Sequence, residues 1–249
     1  MGQAGTPGAL SPPRSSATPA ALVDPLSLAV YAPLIERMAQ GPLIIAQVGQ
    51  SLDGRIATLS GHSHYVNGQD ALTHLHRLRA LVDAVLVGAS TAVLDDPRLT
   101  TRRVKGPNPV RVVLDPRRRV PPSARMFDGA APALAVRSSV CDHAASREEE
   151  LLLPAEDGTF APIEVVDALA ERGLQVLLIE GGGETISHFL RAGLVDRLHV
   201  LMAPMLIGPG REAFKLPAVA TLDAVPRFRM TAHSLGEDIL LDCVLSDWN

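Results

Sequence analysis

Short apolar runs alternating with helical stretches predict an α/β domain, a mixed sheet flanked by helices and finished by a C-terminal antiparallel hairpin. Three observations carry this reading. Apolar runs at 43–46, 84–87 and 176–179 are bounded by Gly, Pro or polar residues, as strands buried on both faces are. Residues 69–81 repeat Leu at 72, 75, 78 and 81, which places them on one helical face. The tail carries two strand-like segments on either side of Gly236.

Taken in order, residues 1–25 are rich in Pro, Ala and Ser and bury too little to repay the entropy of ordering, which predicts a disordered tail. Residues 26–41 predict a helix appended to the domain rather than part of its sheet, and 42–249 form the domain itself. A strand over 43–46 leads into a polar loop over 51–68, and helix 69–81 follows, with Asn67 or Gly68 as its cap. Strands are expected at 84–87 and 110–114, weaker ones at 133–136 and 151–153, and further ones at 176–179 and 198–202. Helices are expected at 163–172 and 184–192, and the hairpin at 228–233 and 239–244. Residues 138–150 read as a charged surface excursion, not a domain boundary, and no internal repeat is present.

Composition narrows the function classes. The chain has 249 residues, 47% of them hydrophobic and 20% charged, enough for a core without disulfides or metals. Its formal charge is −4 and its basic residues are dispersed apart from Arg117 to Arg119, which argues against a nucleic-acid partner. No apolar run approaches the roughly 18 residues that span a bilayer. Cys141 and Cys243 lack any CxxC spacing, which fits a reducing cytoplasm better than a disulfide or zinc scaffold.

The strongest chemical signal is Val176-Leu-Leu-Ile-Glu180-Gly-Gly-Gly-Glu184-Thr-Ile-Ser187, a strand that turns through three glycines into a helix. Helix-start amides and the positive end of the helix dipole suit a phosphate, and glycine permits its close approach. A plain tight turn is the competing reading. The Rossmann fingerprint is not met, because Ile186 stands at the third glycine position and no acid follows about 20 residues later. Two further loops, Gly49-Gln-Ser51-Leu-Asp53-Gly54-Arg55 and Gly88 through Arg102, follow strands and mix glycine, hydroxyl and charge. Asp95-Asp96-Pro97 is also compatible with an ordinary turn.

Ser51-Leu-Asp-Gly54, Asp95-Asp-Pro-Arg-Leu-Thr100, Val112-Val-Leu-Asp115, Glu180-Gly-Gly-Gly183 and Gly193-Leu-Val-Asp-Arg197 with Ala203-Pro204 occur in an order and spacing that resembles the pyrimidine reductase domain of riboflavin biosynthesis. The resemblance covers about 42–244. It implies a dihydrofolate-reductase-like fold, a homodimer, and hydride transfer from NADPH to a ribosylaminopyrimidine 5′-phosphate whose ribose becomes a ribityl chain. It implies cofactor contacts at Gly49, Tyr65, Thr91, Asp95, Gly182, Gly183, Glu184, Thr185, Ile186, Ser187 and His188. It implies substrate contacts at Ser63, Arg79, Leu99, Arg102 and Glu180, with Glu180 also carrying catalysis.

Arg79 and Arg102 suit a sugar phosphate and Glu180 suits pyrimidine nitrogens. The sequence departs from the family pattern at Tyr65, where many members have Trp, at Gln47, where fused bacterial members often have Lys, and at Pro116, where a hydroxyl residue is common. The adjacent Arg117 to Arg119 run reads equally as a clamp for the 2′-phosphate of NADPH or as a solvated turn. No His-x-Glu or Pro-Cys-x-x-Cys occurs, so the zinc deaminase site found in fused members is not expected here. His62 with His64 and His74 with His76 read as surface histidines, and no metal site is expected. Two alternatives remain: a same-fold reductase for another imine or dihydropterin, and a non-catalytic nucleotide-binding module.

Overall fold

The computed structural model describes residues 25–63, 66–140, 148–225 and 227–245. Among these, seven parallel strands form the body of one sheet: β1 (Leu43–Ser51), β3 (Ala84–Gly88), β4 (Val110–Leu114), β5 (Ala133–Ser138), β6 (Glu149–Leu153), β7 (Val176–Glu180) and β8 (Arg197–Ala203). β10 (Arg229–Leu235) and β11 (Asp238–Val244) close one edge as an antiparallel hairpin, giving the order β10-β11-β8-β1-β7-β3-β4-β5-β6. This is the mixed sheet with a terminal hairpin that the sequence predicts.

Parallel strands need both faces covered, and alternate residues of each strand supply two separate cores. Ile44, Ala46 and Val48 of β1 face one side, where α4 (Pro162–Ala170) and α5 (Gly183–Arg191) contribute Val165, Leu169, Ile186 and Phe189. Leu43 and Ile45 face the other, beneath α1 (Pro25–Met38), α2 (Gln69–Leu81) and α3 (Ala89–Asp95). The helix expected as an appendage buries Val30, Tyr31 and Leu34 in this second core.

Three elements were not anticipated. The polar stretch over 51–68 contains β2 (Arg55–Thr58), which pairs with the equally short β9 (Gly210–Glu212). Each exists only because its partner, far away in sequence, supplies the ladder, so no local pattern announces either. α3 follows β3 directly and ends at Asp96, whose φ of 38° breaks the helix.

The surface reading of His74 and His76 is corrected: both are buried. His74 lies between Tyr31, whose hydroxyl is 2.6 Å from Nδ1, and His199, whose Nδ1 is 3.0 Å from His74 Nε2. Polar partners on α1 and β8 make burial affordable where spacing on one helix suggested exposure.

Leu34 is fully buried. Leu34→Ala is therefore expected to lower stability by about 2–5 kcal/mol in chemical denaturation. A loss below about 1 kcal/mol would show that α1 is not part of the core.

Candidate active site

In an open parallel sheet, polar chemistry collects beyond the carboxyl ends of the strands. A cleft of about 1200 Å3 opens there, lined by Gln47 to Gly49 of β1, Gly88 after β3, Leu114 and Pro116 at β4, Glu180 at β7 and Leu201 of β8. The β1–β7 register sets Gln47 beside Glu180. Its volume exceeds the usual range for a single small ligand, so it has room for two side by side.

One wall is the glycine turn. Gly181 has a φ of 110°, a conformation that side chains rarely adopt, and it lets the chain leave β7 and enter α5 at once. Gly182 N–H donates to Thr91 Oγ1 at 3.0 Å, so α3 holds the turn in place. Gly183 lies under the loop after β9, where a Cβ would come within 2.6 Å of two backbone carbonyl oxygens. Two of the three glycines are thus required by the fold itself, while the first-turn amides of α5 still open on the cleft, which Gly183, Glu184 and Thr185 line.

Positive charge rims this wall. Arg119, Arg191, Arg211 and Lys215 line it, and Lys215 Nζ donates to Glu184 Oε1 at 2.6 Å. That bond holds the Glu184 carboxyl below its usual pKa. The Arg117 to Arg119 run divides three ways. Arg117 donates to Asp157 O, Arg118 forms a bidentate pair with Glu150, and Arg119 alone lines the cleft, with Nη2 3.4 Å from Ser90 Oγ. Asp115 fixes the turn by accepting the amides of Arg119 and Val120, and it pairs with buried Arg137.

The other end is built around a buried ion pair. Arg79 donates from Nε and Nη2 to both Glu180 oxygens, at 2.7 and 2.6 Å, and from Nη1 to Thr100 O. Arg79 is 5% exposed and Glu180 6%. Glu180 lines the cleft and Arg79 does not.

Arg102 sits on the neighbouring loop, its amide donating to His76 Nδ1 at 2.9 Å and its Nη1 to Thr100 Oγ1 at 3.0 Å. Burial, then the charges of Arg79, Arg125 and Arg98, hold the Arg102 pKa below its ordinary value. A guanidinium crowded by others favours an anion beside it. Leu99, buried at a φ of 57°, carries this loop across the cleft wall.

Of the residues singled out in the sequence, the cleft gathers Gly49, Ser63, Thr91, Asp95, Leu99, Glu180, Gly182, Gly183, Glu184, Thr185, Ser187 and His188. Arg79 and Arg102 stand behind or beside it, and Tyr65 lies outside the described residues. Ile186 points into the core, and Ser187 Oγ accepts the Lys215 amide at 2.7 Å. Asp95 lines the cleft, whereas Asp96 accepts the Arg125 amide at 2.7 Å, so the two carboxylates of the Asp-Asp-Pro turn have different tasks.

Sequence reasoning missed Arg191, Arg211 and Lys215, because the loop that brings two of them carries no periodic pattern. It also missed Asp53, whose carboxylate accepts the Ser51 hydroxyl and the Ile207 and Gly208 amides. Those bonds, the Ser51 one foremost, lower its pKa to about 2 and tie the first loop to the segment leading to β9.

With this geometry in view, comparison with known proteins is informative. Residues 42–241 match the model of the RibD C-terminal domain. The chain belongs to that family. It is 36% identical over 214 residues to the 2,5-diamino-6-ribosylamino-4(3H)-pyrimidinone 5′-phosphate reductase of Methanothermobacter thermautotrophicus, covering 81% of this chain and 97% of that protein.

Against the riboflavin biosynthesis protein RibD of Aquifex aeolicus identity is 32% over 202 residues, covering 80% of this chain and 57% of the relative. The solved deaminase/reductase of Thermotoga maritima superposes with a TM-score of 0.71 at 25% identity, covering 85% of this chain and 58% of that one. The chain thus spans nearly all of the archaeal reductase and less than two thirds of the two-activity proteins.

His76 supplies a pH test of the Arg102 loop. Burial first, then Arg79, Arg102 and Arg103, depress its pKa to about 4 from 6.5. The unfolded chain therefore takes up the proton first, so the His76 contribution to stability is complete above pH 6.5 and is lost as pH falls toward 4. Denaturant titrations at pH 7 and 4.5 are expected to differ less in His76→Gln than in the parent. Equal differences in the two proteins would contradict this assignment.

Proposed function

We propose that the protein is an NADPH-dependent reductase of riboflavin biosynthesis that converts the ribosyl group of a 5-amino-6-(5-phosphoribosylamino)pyrimidine, either the uracil or the diaminopyrimidinone, to the ribityl product. The observation that carries this reading is the shared cleft: a glycine turn with a cationic rim at one end, and Glu180 with a guanidinium cluster at the other. The names of the relatives point the same way.

The residues fit a dinucleotide. Gly181 to Gly183 leave backbone amides open to the cleft, and Arg119, Arg191 and Lys215 offer charge to its phosphates. Gly182, Gly183, Glu184, Thr185 and the neighbouring Ser187 and His188 would hold its pyrophosphate end, with Gly49, Thr91 and Asp95 beside it, and Arg119 would meet the 2′-phosphate that distinguishes NADPH. The nicotinamide supplies hydride when bound. The protein's part is positioning and exclusion of water, without a side-chain nucleophile.

Glu180 accepts N–H groups of the pyrimidine, and Arg79 keeps that carboxylate oriented through two hydrogen bonds. Arg79 spends three of its five donors on Glu180 and Thr100, which leaves two for a sugar phosphate, while Arg102 stands as the main phosphate anchor. Ser63 and Leu99 complete the substrate wall. The reading includes a homodimer in the cytoplasm. Edge strand β10 is exposed, and Phe228, Met230, Val219 and Leu222 form an apolar surface on and beside it that suits a second copy. Among the described residues no helix is long and apolar enough to cross a membrane.

Purified protein should oxidise NADPH, followed by its near-ultraviolet absorbance, only when the ribosylaminopyrimidine phosphate is added. Consumption without that substrate, or none with it, contradicts the reading.

Arg119→Gln should weaken NADPH binding in calorimetry by about 10- to 100-fold, the equivalent of one or two hydrogen bonds to a charged group, and leave NADH binding unchanged. Arg118→Gln should not alter the preference. Met230→Asp should reduce the mass measured by light scattering from two chains to one.

A further inference from the structure

We infer that Tyr31, His74, His199 and Asp242 form a pH-sensitive clasp through which helix α1 holds helix α2, and with it the guanidinium end of the cleft, in place. The four side chains join α1, α2, β8 and β11 in one buried line. Tyr31 is 2% exposed, His74 1%, His199 0% and Asp242 3%. The family match begins at 42, so the Tyr31 end of the line belongs to a segment outside it.

Asp242 sets the direction of the hydrogen bonds. Burial pushes its pKa up, but hydrogen bonds from His199 and Arg197 prevail and hold it well below the usual carboxylate range. His199 Nε2 lies 3.2 Å from Asp242 Oδ1, close enough for attraction although not aligned as a regular hydrogen bond. A lone pair on that nitrogen would face a carboxylate, so Nε2 carries the proton of neutral His199 and Nδ1 is an acceptor.

His74 must then donate from Nε2 to His199 Nδ1, which leaves its own Nδ1 to accept the Tyr31 hydroxyl. One proton per imidazole satisfies the whole line. A second proton on either ring sets donor against donor and disrupts it.

The surroundings oppose that second proton. Around His74 stand Tyr31 on α1, Arg77 on α2, His199 and Arg197 on β8, His233 on β10 and Asp242 on β11. Burial, then His199 and Arg77, keep the His74 pKa well below 6.5, against a smaller opposing pull from Asp242. Arg77 also places its guanidinium 5.6 Å from the centre of the Tyr31 ring, a second tie between α1 and α2.

The consequence reaches the cleft through α2. On the same helix, Ala71, Leu72 and Leu75 line the cleft wall, His76 holds the Arg102 amide, and Arg79 holds Glu180. A helix that shifts when α1 loosens moves all of them together. Tyr31 is in this sense a positioning residue for side chains it does not touch.

Hydrogen exchange of the whole protein tests the clasp and needs neither substrate nor cofactor, so its failure is distinct from failure of the reductase reading. Amides of α1 and α2 should lose protection as pH falls from 7 to 5, after correction for intrinsic exchange, while β3 and β4 keep theirs. Tyr31→Phe keeps the ring and removes one buried hydrogen bond. It should raise α1 exchange at pH 7 by about fivefold, the factor that one such bond represents.

His74→Gln retains an acceptor and a donor on one side chain but cannot titrate, so its α1 and α2 protection should no longer depend on pH over that range. Equal exchange in Tyr31→Phe and the parent, or undiminished pH dependence in His74→Gln, overturns the proposal.

Discussion

Strands covered on both faces leave polar chemistry one place to go, beyond their carboxyl ends, and the molecule is arranged around that constraint. β1 and β7 lie at the middle of the sheet with apolar residues above and below, so Gln47 and Glu180 come together where β1 and β7 approach the cleft. The glycine turn, the Arg102 loop and the Arg119 turn are hung from neighbouring strand ends and converge on the same opening. The β2–β9 ribbon supplies the remaining wall from residues distant in the chain.

Ionic side chains divide into those that build and those that face the cleft. Arg111 is fully buried and tied to Asp128 and Ala131 O, Arg137 to Asp115 and Glu148, and Arg118 to Glu150. These pairs brace loops. Arg119, Arg191 and Lys215 line the cleft, and Arg102 stands beside it with its guanidinium set among others. Such sorting matters because a buried unpaired charge costs several kcal/mol, so a guanidinium is placed near a ligand site only when its own solvation or partner is provided for. Arg79 occupies the boundary, since it is buried with Glu180 yet keeps two donors uncommitted.

The strand pattern was legible because continuous apolar runs hardly fit anything but a doubly covered sheet, and the segments at 110–114 and 69–81 were located to the residue. The glycine turn after Glu180 was legible for a similar reason, although the structure assigns Gly181 and Gly183 to chain geometry as much as to ligand approach. β2, β9 and α3 were not legible. A three- or four-residue strand acquires its identity from a partner about 155 residues away, and no window of sequence contains that partner.

The histidines of α2 misled for a related reason: positions two apart do point to different sides, but both sides are buried, one by α1 and β8 and the other by the Arg102 loop.

The central claim is that the α5 amides and the Arg119 turn grip one end of a dinucleotide in this cleft. Amide chemical shifts recorded while NADPH is added test it most directly. The account predicts saturable shifts at Gly182, Gly183, Glu184, Thr91 and Arg119, with His199 and Asp242 unmoved. Shifts confined to other surfaces, or none at these five positions, would contradict it.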